Sequence, residues 1–269
     1  MSSTISRDSL YAQLGLPDSA LLVDVRRERD YLARPRLLPG ALRGAPDGVR
    51  RWGRTLPRTR PITVYCADGN QVSRAIADEL ASMGYPTSYV EGGLDEWIRA
   101  GHATVRARDE LHVPGGSRWV TRERPKIDRL ACPWLVRRFI DPEATFFYTP
   151  AHRVRSEAEV LRAEPYDIPD VTFSHRGPRC SFDAFLDEFD LHDTVLDQVA
   201  DIVRAADTGA LAQSREAPGL LAISLGLSAN VRDDILLLEQ AMPIYDALYA
   251  WCKTAHDETH SWPQKVTSQ

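Results

Sequence analysis

The sequence predicts an α/β chain in two parts: a mainly parallel sheet flanked by helices, then a second, mostly helical α+β domain. Three observations predict it. In the first part, short β-branched runs alternate with segments of helical period, the pattern of a parallel sheet. In the second part, apolar residues recur at helical spacing over long stretches, with two strand-like runs between them. Between the parts the apolar periodicity lapses and the chain reads Pro114-Gly115-Gly116-Ser117. The expected divisions are 1–110 for the first domain, 111–120 for a linker, 121–256 for the second domain and 257–269 for a polar tail.

The first domain opens with a helix expected over 5–14, with Ser6 as its cap. An apolar strand follows over 20–25 and carries Asp24; Arg26, Glu28 and Asp30 then mark a polar segment. Residues 37–41, Leu-Leu-Pro-Gly-Ala, read as a tight turn into an extended piece. Pro61-Ile62-Thr63-Val64-Tyr65 is a buried strand, and apolar residues at 75, 76, 80 and 83 make a helix that Gly84 ends. Thr87–Val90 is a further strand, Glu91-Gly92-Gly93 a turn, and 94–98 a short helix.

In the second domain a helix is expected over 128–140, with Asp128 and Cys132 on one face and Pro133 in an early turn. Strands are expected over 144–148 and 171–175. Ser156 and Glu159 have capping-box spacing, and 176–179 reads as a turn. Helices follow over 182–189, over 191–206 with Asp193 as cap, over 219–227, and over 233–253 with a kink at Pro243. His112, in the linker, reads as an exposed loop residue.

Charge and cysteine usage narrow the function. Residues 1–120 hold 17 Lys and Arg against 14 Asp and Glu, whereas residues 121–269 hold 16 against 24. An acidic second half argues against a nucleic-acid partner, because phosphate contacts supply most of that affinity. The basic run over 50–60 is broken by Gly53 and Pro57 and reads as a solvated loop. Cys66, Cys132, Cys180 and Cys252 are scattered, with no disulfide framework and no paired knuckle. No stretch approaches the ~20 apolar residues of a membrane helix, and no signal-like run opens the chain, so no membrane and a cytoplasmic location are expected.

Cys66 is the first chemical candidate. It stands where a strand gives way to a helix, at the head of the loop Ala67-Asp68-Gly69-Asn70-Gln71-Val72-Ser73. Backbone N–H groups of such a loop can converge on one centre, and a helix start adds partial positive charge. A cysteine there can fall from ~8.5 into the range of roughly 3.5–7.5 and become a thiolate near neutral pH. A buried structural cysteine at a strand end is the blander alternative.

The second candidate is a metal site of zinc or iron. His175 ends an expected strand and Cys180 lies five residues on across a Gly-Pro turn, with Cys132 or Asp207 completing the set from other helices. Asp128 and Asp183 are further candidates. Against this stands a turn histidine with core cysteines. An oxyanion such as chromate would need clustered arginines, for which Arg129, Arg137, Arg138, Arg176 and Arg179 are available; otherwise they are salt-bridged helix residues.

Two resemblances follow from these residues. Leu22-Val23-Asp24-Val25-Arg26, Leu38-Pro39-Gly40-Ala41, Val64-Tyr65-Cys66-Ala67-Asp68-Gly69 and Glu91-Gly92-Gly93-Leu94-Asp95-Glu96-Trp97 resemble, in order, the signatures of a rhodanese domain over about 5–108. The resemblance implies a sulfurtransferase in which Cys66 carries a sulfane sulfur as a persulfide, held by loop residues 67–73 and supported by Asp24 and Arg26. Its partners would be a small sulfur donor and a thiol acceptor. Active relatives often carry arginine where this chain has Ala67 and Gln71, and Asp68 adds a negative charge, so thiosulfate is a disfavoured donor. Val72, six residues after Cys66, replaces the arginine that phosphatase and arsenate-reductase loops need.

The second resemblance is carried by residues 125–141 (Pro-Lys-Ile-Asp-Arg-Leu-Ala-Cys-Pro-Trp-Leu-Val-Arg-Arg-Phe-Ile-Asp), Phe173-Ser174-His175, Cys180-Ser181-Phe182-Asp183 and residues 202–207. Together they are similar to the ChrB-type C-terminal domain over about 121–256, which implies a role in chromate resistance. The expected function is a persulfide-forming sulfurtransferase tied to that domain. The alternative is a non-catalytic rhodanese-like sensor or docking module attached to a metal- or oxyanion-binding domain.

Overall fold

The computed structural model describes residues 2–108, 110, 111, 115–256 and 258. The expectation for His112 and most of the polar tail lie outside them. In chain order the first half runs β1 (Ser3–Ile5), α1 (Arg7–Gln13), β2 (Leu21–Asp24), α2 (Glu28–Ala33), β3 (Arg36–Leu37), β4 (Ala41–Arg43), α3 (Val49–Trp52), β5 (Ile62–Tyr65), α4 (Gln71–Ser82), β6 (Thr87–Val90), α5 (Gly93–Arg99) and β7 (Val105–Arg106). Strands β1, β6, β5, β2 and β4 lie side by side in that order and are all parallel. Strands β3 and β7 pair antiparallel.

Every residue of β2 and β5 is buried, as strands covered on both faces require. Val23, Val64, Ile76, Ala77 and Leu80 pack on one side, and Leu22, Tyr65, Leu94 and Trp97 form a separate cluster. The helix expected over 5–14 is shorter at both ends, because residues 3–5 pair with β6 as an edge strand. Ser6 caps α1 as its position suggested, its Oγ accepting from the Ser9 N–H at 3.2 Å. The basic run over 50–60 is partly helical. Arg50 pairs with Glu79, and Arg58 and Arg60 donate to the carbonyls of Met83 and Ser19.

The second half runs β8 (Arg118–Arg122), α6 (Asp128–Leu135), β9 (Thr145–Thr149), α7 (Val154–Leu161), β10 (Glu164–Pro165), α8 (Ser181–Glu188), α9 (Thr194–Asp207), α10 (Ala217–Asn230) and α11 (Asp234–Ala250). Its sheet has the order β10-β8-β9 and is parallel. Strand β8 begins inside the stretch expected as linker, because Trp119 and Val120 are core residues. A π turn over Val136–Ile140 extends α6 to the end of the expected helix.

Two local expectations are corrected. Residues 171–175 do not form a strand. Phe173 makes a single bridge to Tyr166 and its ring is held by Trp119 and Phe185, with centroids at 5.0 and 4.6 Å, so the apolar run is a packed loop. Ser156 and Glu159 do not open a helix: α7 starts at Val154 after a 3-10 turn, and the Ser156 hydroxyl donates back to the Arg153 carbonyl. Asp193 does cap α9, accepting from Val195 and Leu196 N–H groups.

The halves meet along a polar seam. The Gly40 N–H donates to the Phe139 carbonyl at 2.6 Å, and Arg36 pairs with Asp190. Tyr11 donates its hydroxyl to Asp193. The Lys253 ammonium donates to the carbonyls of Tyr11, Ala12 and Leu14 at 3.0–3.2 Å, satisfying the exposed end of α1. Among the described residues, no helix is long and apolar enough to cross a membrane.

Candidate functional site

Cys66 directly follows β5, at the carboxyl end of the parallel sheet, where open α/β sheets place ligands. Its side chain is nearly buried yet lines an open cavity of about 680 Å³, together with Arg27, Asp68, Asn70 and Gln71. Sγ lies 3.3 Å from Asp68 Oδ1 and 3.3 Å from Ser73 Oγ. Ser73 in turn donates to the Asn70 carbonyl. The loop ends in α4, whose first-turn N–H groups, those of Gln71, Val72 and Ser73, face the entry of the helix without intrahelical acceptors.

The loop is seated from below. Leu94 N–H donates to the Cys66 carbonyl at 3.0 Å and Asp95 N–H to that of Ala67 at 2.8 Å. Gly69 has φ +70, and a Cβ there would lie 2.5 Å from the Gly92 nitrogen, so the loop and the β6–α5 turn approach as closely as their backbones allow. Burial acts to raise the Asp68 carboxyl, but the Asn70 N–H, the Cys66 thiol and the Asn70 side chain together hold it below the usual carboxylate range.

Asp24 and Arg26 form a buried ion pair at the end of β2, and Arg26 also lines the Cys66 cavity. Arg26 is fully buried and forks onto Asp24, Nη2 to Oδ2 at 2.6 Å, while its other donors reach the carbonyls of Arg34 and Arg36. Arg27, next along the chain, is the exposed arginine on the cavity wall.

In the second half the structure brings together some of the expected metal ligands and not others. His175 and Asp207 meet, Nε2 to Oδ2 at 3.2 Å. Asp128 Oδ2 lies 3.2 Å from the same nitrogen, and Asp167 Oδ1 3.4 Å from it. Among the described residues, the ligand atoms that come together are those of Asp128, His175 and Asp207, without a cysteine sulfur. Cys132 and Cys180 are fully buried, and desolvation followed by the Asp128 charge pushes both thiols well above their ordinary value. Cys180 N–H donates to Asp183, and Asp183 is clamped by Arg204. Cys252 is likewise core.

The elements explain the convergence. Asp128 opens α6, Asp207 is the last residue of α9, and His175 stands in the turn before α8. Ile127 precedes Asp128 at φ +43, an uncommon conformation for a β-branched residue. It is pinned by the Ser224 hydroxyl on its N–H and the Tyr245 hydroxyl on its carbonyl. Asp167, with φ +52, is held by Ser181, Arg122 and Arg129. Hydrogen bonding to Asp128, then to Asp167, pushes His175 up to about 10. Burial, then the neighbouring Asp128, pushes Asp207 up to about 7.

Asp167 escapes a reading of the sequence, since Tyr166-Asp167-Ile168 belongs to no periodic segment and nothing in its spacing ties it to His175. Asp128 is visible for the face it shares with Cys132, although its contact is with the histidine. The arginines suited to an oxyanion are all committed to carboxylates: Arg129 to Asp167, Arg137 to Glu239, Arg138 to Asp246, Arg176 to Glu188 and Arg179 to Asp187.

The family model of the rhodanese-like domain matches residues 6–100, and that of the C-terminal domain of ChrB matches residues 119–252. Protein ChrB of Cupriavidus metallidurans is 35% identical over 135 residues; the match covers 50% of this chain and only 40% of that protein. A rhodanese-related protein from Thermoplasma volcanium is 25% identical, with a TM-score of 0.34, over 38% of this chain and 97% of its own. A thiosulfate sulfurtransferase from Pseudomonas aeruginosa is 22% identical, with a TM-score of 0.36, over 40% of this chain and 20% of its own.

Proposed function

As this chain joins a rhodanese-like domain at residues 6–100 to a ChrB C-terminal domain at residues 119–252, we propose that it is a sulfur carrier that forms a persulfide on Cys66 in the service of chromate or related oxyanion resistance. The observation that carries this reading is the position of Cys66 Sγ, at the wall of an open cavity, between a strand end and the first turn of α4. The Cys66 thiolate attacks the terminal sulfur of a persulfide or polysulfide donor. The donor's S–S bond breaks, the donor thiolate leaves, and Cys66–S–S⁻ remains beside the helix start. An acceptor thiolate then attacks that terminal sulfur and returns Cys66 to its thiolate.

Asp68 and the absence of arginine at positions 67 and 71 favour a neutral or singly charged donor over thiosulfate. Mass spectrometry of the Cys66 peptide after exposure to polysulfide tests the reading. The expected gain is the mass of one sulfur atom, removed by a thiol reductant and missing in Cys66→Ala. An unmodified peptide with polysulfide, glutathione persulfide and thiosulfate alike overturns it. The tie to chromate predicts that cells without this chain grow less well on chromate, and that Cys66→Ala fails to restore them.

A further inference from the structure

We propose that Asp128, Asp207 and His175, backed by Asp167, form a divalent-cation site in the second domain, suited to manganese(II) or iron(II). Three oxygens from separate carboxylates lie 3.2–3.4 Å from a single nitrogen, His175 Nε2. That nitrogen carries at most one proton, so it donates fully to only one of the three, although Asp128 Oδ2 also accepts from the Ser181 N–H at 3.3 Å and Asp167 Oδ1 from the Ser181 hydroxyl at 2.9 Å. A cation at their centre satisfies all of them at once. The spacing is also that of ligands around one ion: groups held at ~2.1 Å from a metal are about 3.0 Å apart at a right angle and about 3.4 Å apart at the tetrahedral angle. The three ligating atoms of Asp128, His175 and Asp207 all lie within 4.8 Å of one another.

The charge balance points the same way. Asp128 is almost completely buried, and among the described residues neither it nor Asp207 has a lysine or arginine within ion-pair distance. Apart from the His175 imidazole, no basic side chain among the described residues pairs with these two carboxylates, and a bound cation would take over that role. Asp167 is different. Its Oδ2 is taken by Arg122 and Arg129, while its Oδ1 accepts from the Ser181 hydroxyl and faces His175. That arrangement orients a ligand from outside, as the supporting groups of metal sites do. Two carboxylates and one imidazole, with a third carboxylate behind them and no thiolate, select manganese or iron over a zinc site of the cysteine type.

Access is provided. His175 is two-fifths exposed and lines an open cavity of about 660 Å³ with Arg122, Asp167, Asp170 and Ser174. An ion held by Asp128, His175 and Asp207 would keep a position open towards this cavity, where water or a small anion binds. The site does not involve Cys66, and its test is separate from that of sulfur transfer.

Untagged full-length protein, stripped with a chelator and dialysed, is titrated with manganese(II) while the spectrum of the free ion is followed by electron paramagnetic resonance. One ion per chain is expected, with a rise in melting temperature that saturates at the same point. Competition with iron(II) and zinc(II) ranks the metals. Asp207→Asn and His175→Ala, each checked for native circular dichroism, should weaken binding at least about tenfold, whereas Cys252→Ala leaves it unchanged. If folded wild-type protein takes up none of the three metals at millimolar concentration, the proposal fails. It also fails if binding is indifferent to both Asp207→Asn and His175→Ala, which marks an adventitious surface ion. Zinc binding that is lost in Cys180→Ala but kept in Asp207→Asn would equally overturn it, in favour of a thiolate site.

Discussion

Arg36 of β3 and Asp190, just beyond α8, form an ion pair across the seam, Nη1 to Oδ2 at 2.6 Å. Arg36 also donates to Thr104 and to the Asp190 carbonyl, so one side chain ties the edge of the first domain to the second. The hydrogen bond from Arg36 holds the Asp190 carboxyl below the usual carboxylate range, with burial opposing. A carboxyl depressed by folding contributes fully above its unfolded value of ~4 and loses that contribution as pH falls through the lower folded value. Both partners are about one-third exposed, so solvent screening limits the pair to less than about 1 kcal/mol. Chemical denaturation should therefore show this small contribution being lost only in the acid range, below about pH 4. In Arg36→Ala it should already be missing at neutral pH, with less change on acidification.

A second prediction concerns the buried ion pair beneath the loop. Asp24 and Arg26 are both essentially inaccessible, and among the described residues Arg26 pairs with no other carboxylate. Asp24→Ala strands a buried guanidinium and should cost about 3–5 kcal/mol in chemical denaturation. Replacing the pair together, Asp24→Leu with Arg26→Met, should recover most of that loss, since the packed volume returns without the charge. Equal instability of the double variant would show that the Arg26 contacts to the carbonyls of Arg34 and Arg36 matter more than the pair.

The donor preference follows from Asp68. Its carboxylate is 3.3 Å from Cys66 Sγ and stands on the wall of the cavity that a dianion would enter. Asp68→Asn should raise the rate of persulfide formation from thiosulfate about tenfold, the equivalent of ~1.4 kcal/mol, with a smaller change for a singly charged alkyl persulfide. Ala67→Arg should act in the same direction. Equal gains for both donors would mean that Asp68 acts on the thiol rather than on the incoming charge.

Gly69 makes a sharper test of the loop. Its φ of +70 and the 2.5 Å approach of an added Cβ to the Gly92 nitrogen leave no room for a side chain. Gly69→Ala should cost more than the roughly 1–2 kcal/mol of left-handed backbone strain alone, because the loop must also move. Persulfide formation on Cys66 should fall sharply while β5 and α4 remain protected from hydrogen exchange. Wild-type activity in this variant would mean that the loop need not close on Gly92.

Much of the first domain is legible because its signals are local. Ile62–Tyr65 is a β-branched strand, Gly84 stops a helix, and Ser6 caps one, each decided within a few residues. The strand Ser3–Ile5 is missed, and Ile5 given to the helix, because edge pairing with β6 is a tertiary contact that no spacing within 1–14 encodes. The second domain is harder for the same reason. Phe173 looks like a strand residue because it is aromatic and follows Val171 and Thr172, yet its burial comes from Trp119 and Phe185. His175 meets one of its expected partners, Asp207, whereas pairing it with Cys180 follows sequence proximity. The groups that reach it come from positions 128, 167 and 207, joined only by the packing of α6 and α9.

Lys253 closes the last carbonyls of α1, and 239 residues separate it from Leu14. Formation of α1 by itself cannot supply this closure, so protection of those carbonyls marks the assembled pair of domains rather than a folded helix.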